Sequence, residues 1–550
     1  VKYGKLLLTV GAGLLLAGSL AACGGKTASS SETTIDKKEL KPYGKYSEPV
    51  SFTIGKQTRP LDTLYKGDTL KNNPATRYLK KETNISVKTE WTTSDFNQKV
   101  ALALSTGEIP DVMSVYQDQF NQLLDNDLIE DLTTVYKKGA SKRVKDAISS
   151  YDQDLLGISS RDGKLMAIPQ PYPYFEENIT WIRKDWLDKL HLDTPETLAD
   201  LENVAKQFVE KDASGTGKTL GITLRSDLNG FDGTQMDAGI FFNQFGAFPR
   251  SFVKKDGKVV YGSIEPETKD GLAMLRRWYK EGIIDKEFAT RTDDEKKSDL
   301  ADRMGIYVGP FWGTDMVNSY DKDKNANWIA VTGPVKEKGD KFITTRNTPV
   351  FRYIVVRKGF KHPEMVMRAI NSMVDFNQGV GSAKAYRKAE AKKHNQTALP
   401  LSWALAPIDV NIERSDKTPL GLADIENALK TGDTSKLSDK NEASFAHVRD
   451  YPKTKDKSAL EDYLYYHTGI QAATNTDKIK FVDKAYYGDT PSMVKMNANL
   501  IKLENETFIK IIMGQSPLSD FDKFVTQWKA QGGDTILKEV NAAVDKGEVQ

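Results

Sequence analysis

Between residues 50 and 115 the sequence alternates strand with helix, and few folds accept that rhythm. "VSFTIG" (50–55) alternates apolar with polar residues and is rich in β-formers. "PATRYLKKET" (74–83) reads as a helix with Tyr78 and Leu79 turned inward. "ISVKTEW" (85–91) is a second strand. Thr93 or Ser94 can cap a helix carrying Phe96, Val100 and Leu104 on one stripe, with Gly107 closing it. "PDVMSV" (110–115) is a third strand. A β-α-β-α-β series of this kind builds an α/β sheet whose ligands collect at the carboxyl ends of the strands.

The same grammar continues, with more helix towards the end. "DGKLMAIP" (162–169) reads as a hairpin edge. In "TPETLADLENVAKQFVEKD" (194–212), Leu198, Leu201, Ala205, Phe208 and Val209 fall at helical spacing. "DGKVVYG" is another hairpin or edge strand, and "KDGLAMLRRWYKEGII" a helix. "RMGIYVGPFWG" (303–313) is a buried strand entering a Gly-Pro-aromatic loop. "RYIVVRKG" (352–359) is a strand and "HPEMVMRAINSMV" a helix. The last third is mainly helical, and Ser519 is placed to cap a helix bearing Phe521, Phe524, Val525 and Trp528. No internal repeat is present.

The N-terminus speaks to compartment. Lys2 and Lys5 precede an apolar stretch at 6–17, too short and Gly-rich for a comfortable transmembrane helix. Leu20-Ala21-Ala22-Cys23 then resembles the lipobox of a bacterial lipoprotein, in which Cys23 becomes the acylated (palmitate-bearing) N-terminus. A plain signal peptide with an incidental cysteine is the alternative. Cys23 is the only cysteine, so the folded body has no disulfide, Cys-ligated zinc or thiol nucleophile. Residues 24–47, rich in Ser, Thr, Lys and Gly, read as a flexible tether. About 500 residues remain, enough for two or more cores. The formal charge of +2 gives no basic excess for nucleic acid.

Searches for chemistry return little. Histidines 191, 362, 394, 447 and 467 never stand at the spacing of a helical zinc site, and no GxSxG elbow is present. "GTGKT" (215–219) resembles part of a phosphate loop, but Asp212 stands where that loop needs glycine. The same segment sets Asp212, Ser214 and Thr216 at alternate positions before Gly217, as in an EF-hand-like calcium loop. Thr223 occupies the position where such a loop wants a carboxylate, so a glycine-rich turn is the competing reading. Paired carboxylates for glycoside hydrolysis are set by fold and not by spacing, so this class stays open.

Six fragments in order carry a resemblance: "STGEIPDVM", "DGKLMAIP", "WIRKDWLDKLHLDTPETLADL", "GPFW", "KHPEMVMRAIN" and "FIKIIMGQSPLSDFDKFVTQWKAQGGDTILKEV". Together they resemble the extracellular solute-binding lipoproteins of bacterial carbohydrate ABC importers, in the LplA-like subgroup. The architecture is similar to that of alginate-oligosaccharide and maltodextrin receptors. The resemblance implies a two-lobe α/β fold of the periplasmic-binding-protein type, with a hinge, an interlobe cleft and extra C-terminal helices. It implies a leader at 1–22, a tether at 23–47, a first lobe of 48–175 plus 345–400, and a second of 176–344 plus 401–550.

It also suggests what the aromatics of "PQPYPYFEENITWIRKDW" (169–186) face. Tyr172, Tyr174, Phe175 and Glu177 fall at the hinge and cleft mouth, Trp181 on a strand, and Trp186 in a core. Trp312, after "GP" and Phe311, takes the place of a stacking platform for sugar. Sugar hydroxyls need planar polar partners, for which Arg59, Asp111, Gln117, Asn178 and Arg352 are candidates. Trp403 and Tyr466 are further platforms. The implied function is that of a receptor on the outer face of the cytoplasmic membrane, not an enzyme. It would deliver an oligosaccharide, acidic if the arginines pair with carboxylates, to ABC permease transmembrane subunits. No cofactor is implied beyond the calcium alternative. A receptor for a non-sugar solute such as a peptide, a surface glycan-active enzyme and an adhesin are the alternatives.

Overall fold

A computed structural model describes residues 35–57, 65–93, 95–172, 178–228, 235–313, 315–346, 348–396, 399 and 406–546. The strands that matter for the site are, in chain order, β1 (Val50–Gln57), β2 (Ile85–Thr93), β3 (Val112–Val115), β4 (Ile168–Pro171), β5 (Asn178–Arg183), β6 (Ile306–Pro310), β7 (Trp328–Val331) and β8 (Val350–Val356).

The first lobe is a five-stranded sheet in the order β2-β1-β3-β8-β4. β1 pairs in parallel with β2 and β3, whereas β8 runs antiparallel to β3 and β4. Its crossover helices form for local reasons. Asn73 accepts from the amides of Ala75 (3.0 Å) and Thr76 (3.2 Å), while Thr76 Oγ1 accepts from Asn73 N, and Pro74 opens Pro74–Thr83. The helix Phe96–Thr106 is capped by Asp95, whose Oδ1 accepts from Gln98 N at 3.1 Å, rather than by Thr93. β1 bulges between Ile54 and Gly55. Gly55 is required there, because a Cβ would lie 2.1 Å from the ring of Trp91.

The second lobe centres on the antiparallel sheet β6-β5-β7. The strand period of two divides its side chains between separate cores. Ile182, Ile306 and Val308 pack with Leu201, Phe208, Trp278 and Phe508 on one face. Ile179, Trp181, Tyr307 and Trp328 pack on the other with Ile425, Val448, Leu460 and Leu464. The C-terminal helices are thus not one unit: 417–473 and 491–545 cover opposite faces of one sheet. Ser519 makes no side-chain cap for Asp520–Trp528.

Two expected boundaries move. Ile408, Val410 and Ile412, expected in the second lobe, are buried in the first-lobe core. Residues 35–46, expected as tether, dock on that lobe. The reason is Arg368, a buried cation on Pro363–Gln378 that needs acceptors. Its Nη2 donates to Glu39 O (2.6 Å) and Oε2 (2.7 Å), and its guanidinium lies 4.1 Å from the Tyr46 ring. Asn371 Nδ2 donates to Pro42 O at 2.8 Å.

A buried ion pair ties the first-lobe helix Ser382–Lys393 to Asp439–Thr454 of the helical layer. Arg387 Nε donates to Asp439 Oδ2 at 2.7 Å, with both side chains 1% exposed. Arg387→Met should cost about 3–5 kcal/mol, because it strands a buried carboxylate. The double variant R387M/D439L should recover most of that loss. Urea unfolding of the two variants checks both expectations.

Candidate functional site

Two connections between the lobes run side by side. β4 ends at Pro171, paired with Val350 at the start of β8, and Tyr172 N donates to Pro349 O at 3.0 Å. The chain leaves the first lobe after Tyr172, enters β5 at Asn178 opposite Pro310, and returns at β8. Six residue steps separate Tyr172 from Asn178, a reach of about 20 Å at full extension. The end of β6, opposite Asn178, therefore lies within about that reach of the end of β4.

The first-lobe wall is built around Arg352. Its buried guanidinium donates to Asp409 Oδ2 (2.9 Å), Gln57 Oε1 (3.0 Å) and Tyr116 OH (2.6 Å), and lies 4.5 Å from the Tyr116 ring. These bonds join the ends of β1 and β3, the start of β8 and the 406–412 segment. Arg352 is thus a brace, committed to protein partners and not held open for a ligand. Phe351, beside it, is 36% exposed and meets Tyr116 and Tyr172 edge-on, at 6.0 and 5.6 Å between ring centroids. Gln117 stands at the same end, accepting from Tyr353 OH and donating to Asn121 at 3.1 Å.

On the second-lobe side, β6 ends in Gly309-Pro310, and Gly313 N donates to Pro310 O at 2.8 Å in a tight turn. Trp312 at the tip of that turn is 50% exposed. Phe311 is turned the other way: it is 3% exposed and stacks on Tyr465 at 5.5 Å. It belongs to the core, because successive residues of so tight a turn face opposite sides.

Other expected site residues lie elsewhere. Asp111 precedes β3, at the end opposite the hinge. It accepts from Thr53 N (2.9 Å) and from Arg357 (2.7 Å), so it is a structural clamp. Asn178 is buried at the first position of β5. Tyr466 is buried, with its hydroxyl donating to Asn441 at 3.3 Å, on a different cavity. Trp181 and Trp186 are buried. Cys23, Arg59, Tyr174, Phe175, Glu177 and Trp403 lie outside the described residues. Phe351, Tyr116 and Asp409 were not anticipated. The sequence carries no signal for Phe351: "VFRYIVV" reads as a buried strand, and it is buried everywhere except there.

The 212–219 loop closes on itself. Asp212 accepts from Thr219 Oγ1 (2.7 Å), Ser214 Oγ (3.1 Å) and Gly217 N (2.8 Å), and Ser214 Oγ bonds both Thr216 and Thr219. With one carboxylate, its hydroxyls already engaged, and Thr223 turned towards Asp285 (3.4 Å), this donor set does not fit calcium.

One electrostatic feature spans the lobes. Burial and then the charge of Asp118, on the first-lobe helix Gln117–Asp125, raise the carboxyl of Asp489 above the ordinary aspartate range. Asp489 precedes the second-lobe helix Pro491–Ile512 and is reached by solvent. A raised carboxyl favours the neutral acid.

The exposures of Trp312 and Phe311 predict opposite outcomes for one substitution. Phe311→Ala should lose about 3–5 kcal/mol of folding stability, as large core truncations do. Trp312→Ala should lose under about 1 kcal/mol, as surface changes do. Urea unfolding of the two variants is the check.

Comparison with known proteins agrees with this architecture. LipO, a lipoprotein of Bacillus subtilis (strain 168), is 24% identical over 491 residues, covering 85% of this chain and 88% of its own. YtcQ of the same organism, a polygalacturonan/rhamnogalacturonan-binding protein, is 23% identical over 96% of both chains. FusA of Streptococcus pneumoniae serotype 4, a fructooligosaccharide ABC transporter substrate-binding protein, is 28% identical over 65% of this chain and 64% of its own. Among solved structures, the alginate-binding protein AlgQ2 superposes with a TM-score of 0.61 at 18% identity, over 92% of this chain and all of its own. FusA in complex with kestose gives 0.61 at 16% identity, over 90% and 99%. These likenesses show a shared two-lobe fold. The family model for bacterial extracellular solute-binding proteins matches residues 65–373, more than half of the sequence, and the chain belongs to that family.

Proposed function

We propose that the protein is a lipid-anchored receptor of an ABC importer, which captures an oligosaccharide by lobe closure and hands it to the transmembrane subunits. The observation that carries this reading is the pair of exposed aromatics at the hinge, Trp312 from the second lobe and Phe351 from the first. An aromatic face packs against the C–H face of a sugar ring, and large apolar side chains left in water beside the connections between the lobes suit that use. The names of FusA and YtcQ, both oligo- or polysaccharide binders, support the same solute class. Contacts made by both lobes at once exist only in the closed state, so ligand shifts the population towards it. In this reading the protein binds and releases its solute unchanged. In this reading Tyr172, in edge contact with Phe351, and Gln117, next to Tyr116, are the polar partners of the sugar hydroxyls.

A thermal-shift screen over fructo-, malto- and galacturono-oligosaccharides, with peptides as the other arm, tests the reading. One glycan class should raise the melting temperature as concentration rises through its Kd. Trp312→Ala should then weaken calorimetric binding by about tenfold or more, by analogy with stacking losses on other aromatic platforms. Release of a shortened product would make the protein an enzyme, and a shift with peptides alone would change the solute.

Anchoring is proposed from Cys23 at the lipobox position and from the lipoprotein relative LipO. Cys23→Ser, expressed with its leader, should move the protein from the membrane to the soluble fraction. Equal retention of the variant after a salt wash would count against lipidation.

A further inference from the structure

The turn that carries Trp312 is held from behind. Pro310 O accepts from Gly313 N at 2.8 Å and from Trp181 Nε1 at 3.3 Å. The Phe311 ring stacks on Tyr465, 5.5 Å away between centroids. The Phe311 carbonyl, whose carbon is bonded to Trp312 N, lies against Gly469. A Cβ on Gly469 would fall 2.8 Å from that oxygen and 3.1 Å from the ring of Trp181. Tyr465 and Gly469 are the two ends of one short stretch of the helical layer, Tyr465–Gly469.

That stretch is wound differently from its neighbours. Ile470 N donates to Tyr465 O, five residues back rather than four, so a π turn separates Lys457–Leu464 from Ile470–Ala473. Such turns are rare inside helices and occur mostly where a site needs them. Thr468 ties this one to the sheet: Ala330 N donates to Thr468 Oγ1 at 2.8 Å, and Thr468 Oγ1 donates to Ala330 O at 3.2 Å. Ala330 pairs with Trp181, and Trp181 pairs with Tyr307. The π turn is therefore fixed to the row of β7, β5 and β6 that bears Trp181.

Gly469 is needed for space and not for conformation. Its φ of −60° and ψ of −57° are helical and open to any residue. Glycine is a poor helix former, so local preference alone would favour alanine there. What excludes a side chain is the Phe311 carbonyl, a backbone group that cannot swing aside as the tip of a side chain can. A methyl group at 469 must move the Phe311–Trp312 peptide, and with it the half-exposed ring of Trp312.

We infer that Gly469 is a positioning residue for the platform: with Tyr465 it sets, through the Phe311–Trp312 peptide, where the Trp312 ring stands. That Trp312 meets a sugar rests on the function proposed above; that Gly469 places Trp312 does not.

Fluorine NMR of the full chain labelled with 5-fluorotryptophan tests the placement without any glycan. Trp312→Phe identifies the Trp312 signal by its loss. Gly469→Ala should shift that signal and leave those of Trp91, Trp278 and Trp528, which pack elsewhere, in place. Tyr465→Leu removes the stack without adding volume, and it should also move or broaden the Trp312 signal; it carries the test if Gly469→Ala does not fold. Calorimetry with kestose, maltotriose and trigalacturonate is the second readout. Whichever of them binds should bind Gly469→Ala about tenfold more weakly, as expected for Trp312→Ala. In the Trp312→Ala background, Gly469→Ala should cost less than about twofold more, because both act through one ring. A Trp312 signal unmoved by both Gly469→Ala and Tyr465→Leu would overturn the inference. So would a binding loss that adds in full to that of Trp312→Ala, or a shift of all the tryptophan signals together, which would make Gly469 an ordinary core residue. A Trp312 signal that moves alone while none of the three glycans binds would uphold the placement and count against the sugar reading.

Discussion

The insertion of β8 between β3 and β4 is the constraint on which the rest depends. β4 joins the first-lobe sheet only through β8, yet residues 172–349 lie between them in sequence. The first lobe therefore cannot be completed until the chain has passed through the second. Closing so long a loop costs entropy that local pairing cannot offset, so the first-lobe core must supply it. Tyr353, Ile354, Val355 and Val356 do so, all buried against the β3 side of that core. The same topology makes the hinge. Because β4 leaves beside the returning β8, two connections share one place and form one bending line.

The β6-β5-β7 sheet sets the second lobe's construction in a similar way. It is covered on both faces, so all residues of β5 and β6 are buried, the polar Asn178, Thr180 and Arg183 included. The outer layer, 417–473, then reaches back to the first lobe through Arg387 and Asp439 and through Lys384 with Glu442. The lobes are thus joined by more than their connecting strands. An electrostatic seam ties the helical layer to the far side of the hinge, and any closure must carry that layer along or loosen the seam.

Much of the architecture was legible because it is written locally. The alternation of 50–115 needs only side-chain period and turn chemistry, and β1 to β3 follow it. The two-lobe plan and the family came from fragments in order. What stayed hidden depends on direction and long-range packing. Asp111 looked like a strand-end residue and is one, at the end away from the hinge, and nothing in "PDVMSV" tells which end faces a ligand. Phe311 and Trp312 are equivalent in sequence, and only the turn at Pro310 sends one inward and the other out. Arg352 has the composition of a ligand contact, but its partners Gln57, Tyr116 and Asp409 come from three distant segments. Residues 406–412 and 35–46 read as second lobe and tether, because the groups that hold them, Asn377 and Gln378 for one and Arg368 for the other, lie far along the chain.

The docking of 35–46 on Arg368 has a geometric consequence. If the lipid sits on Cys23, the slack between bilayer and folded body ends at Glu39 and not at residue 47. That leaves roughly 55 Å of chain even when fully drawn out. Among the described residues, 35–46 are fastened to the first lobe. The first lobe is then the moored body and the second the swinging one, so the sweep of a closing hinge is referred to the membrane plane through Pro363–Gln378, the helix that holds the mooring point.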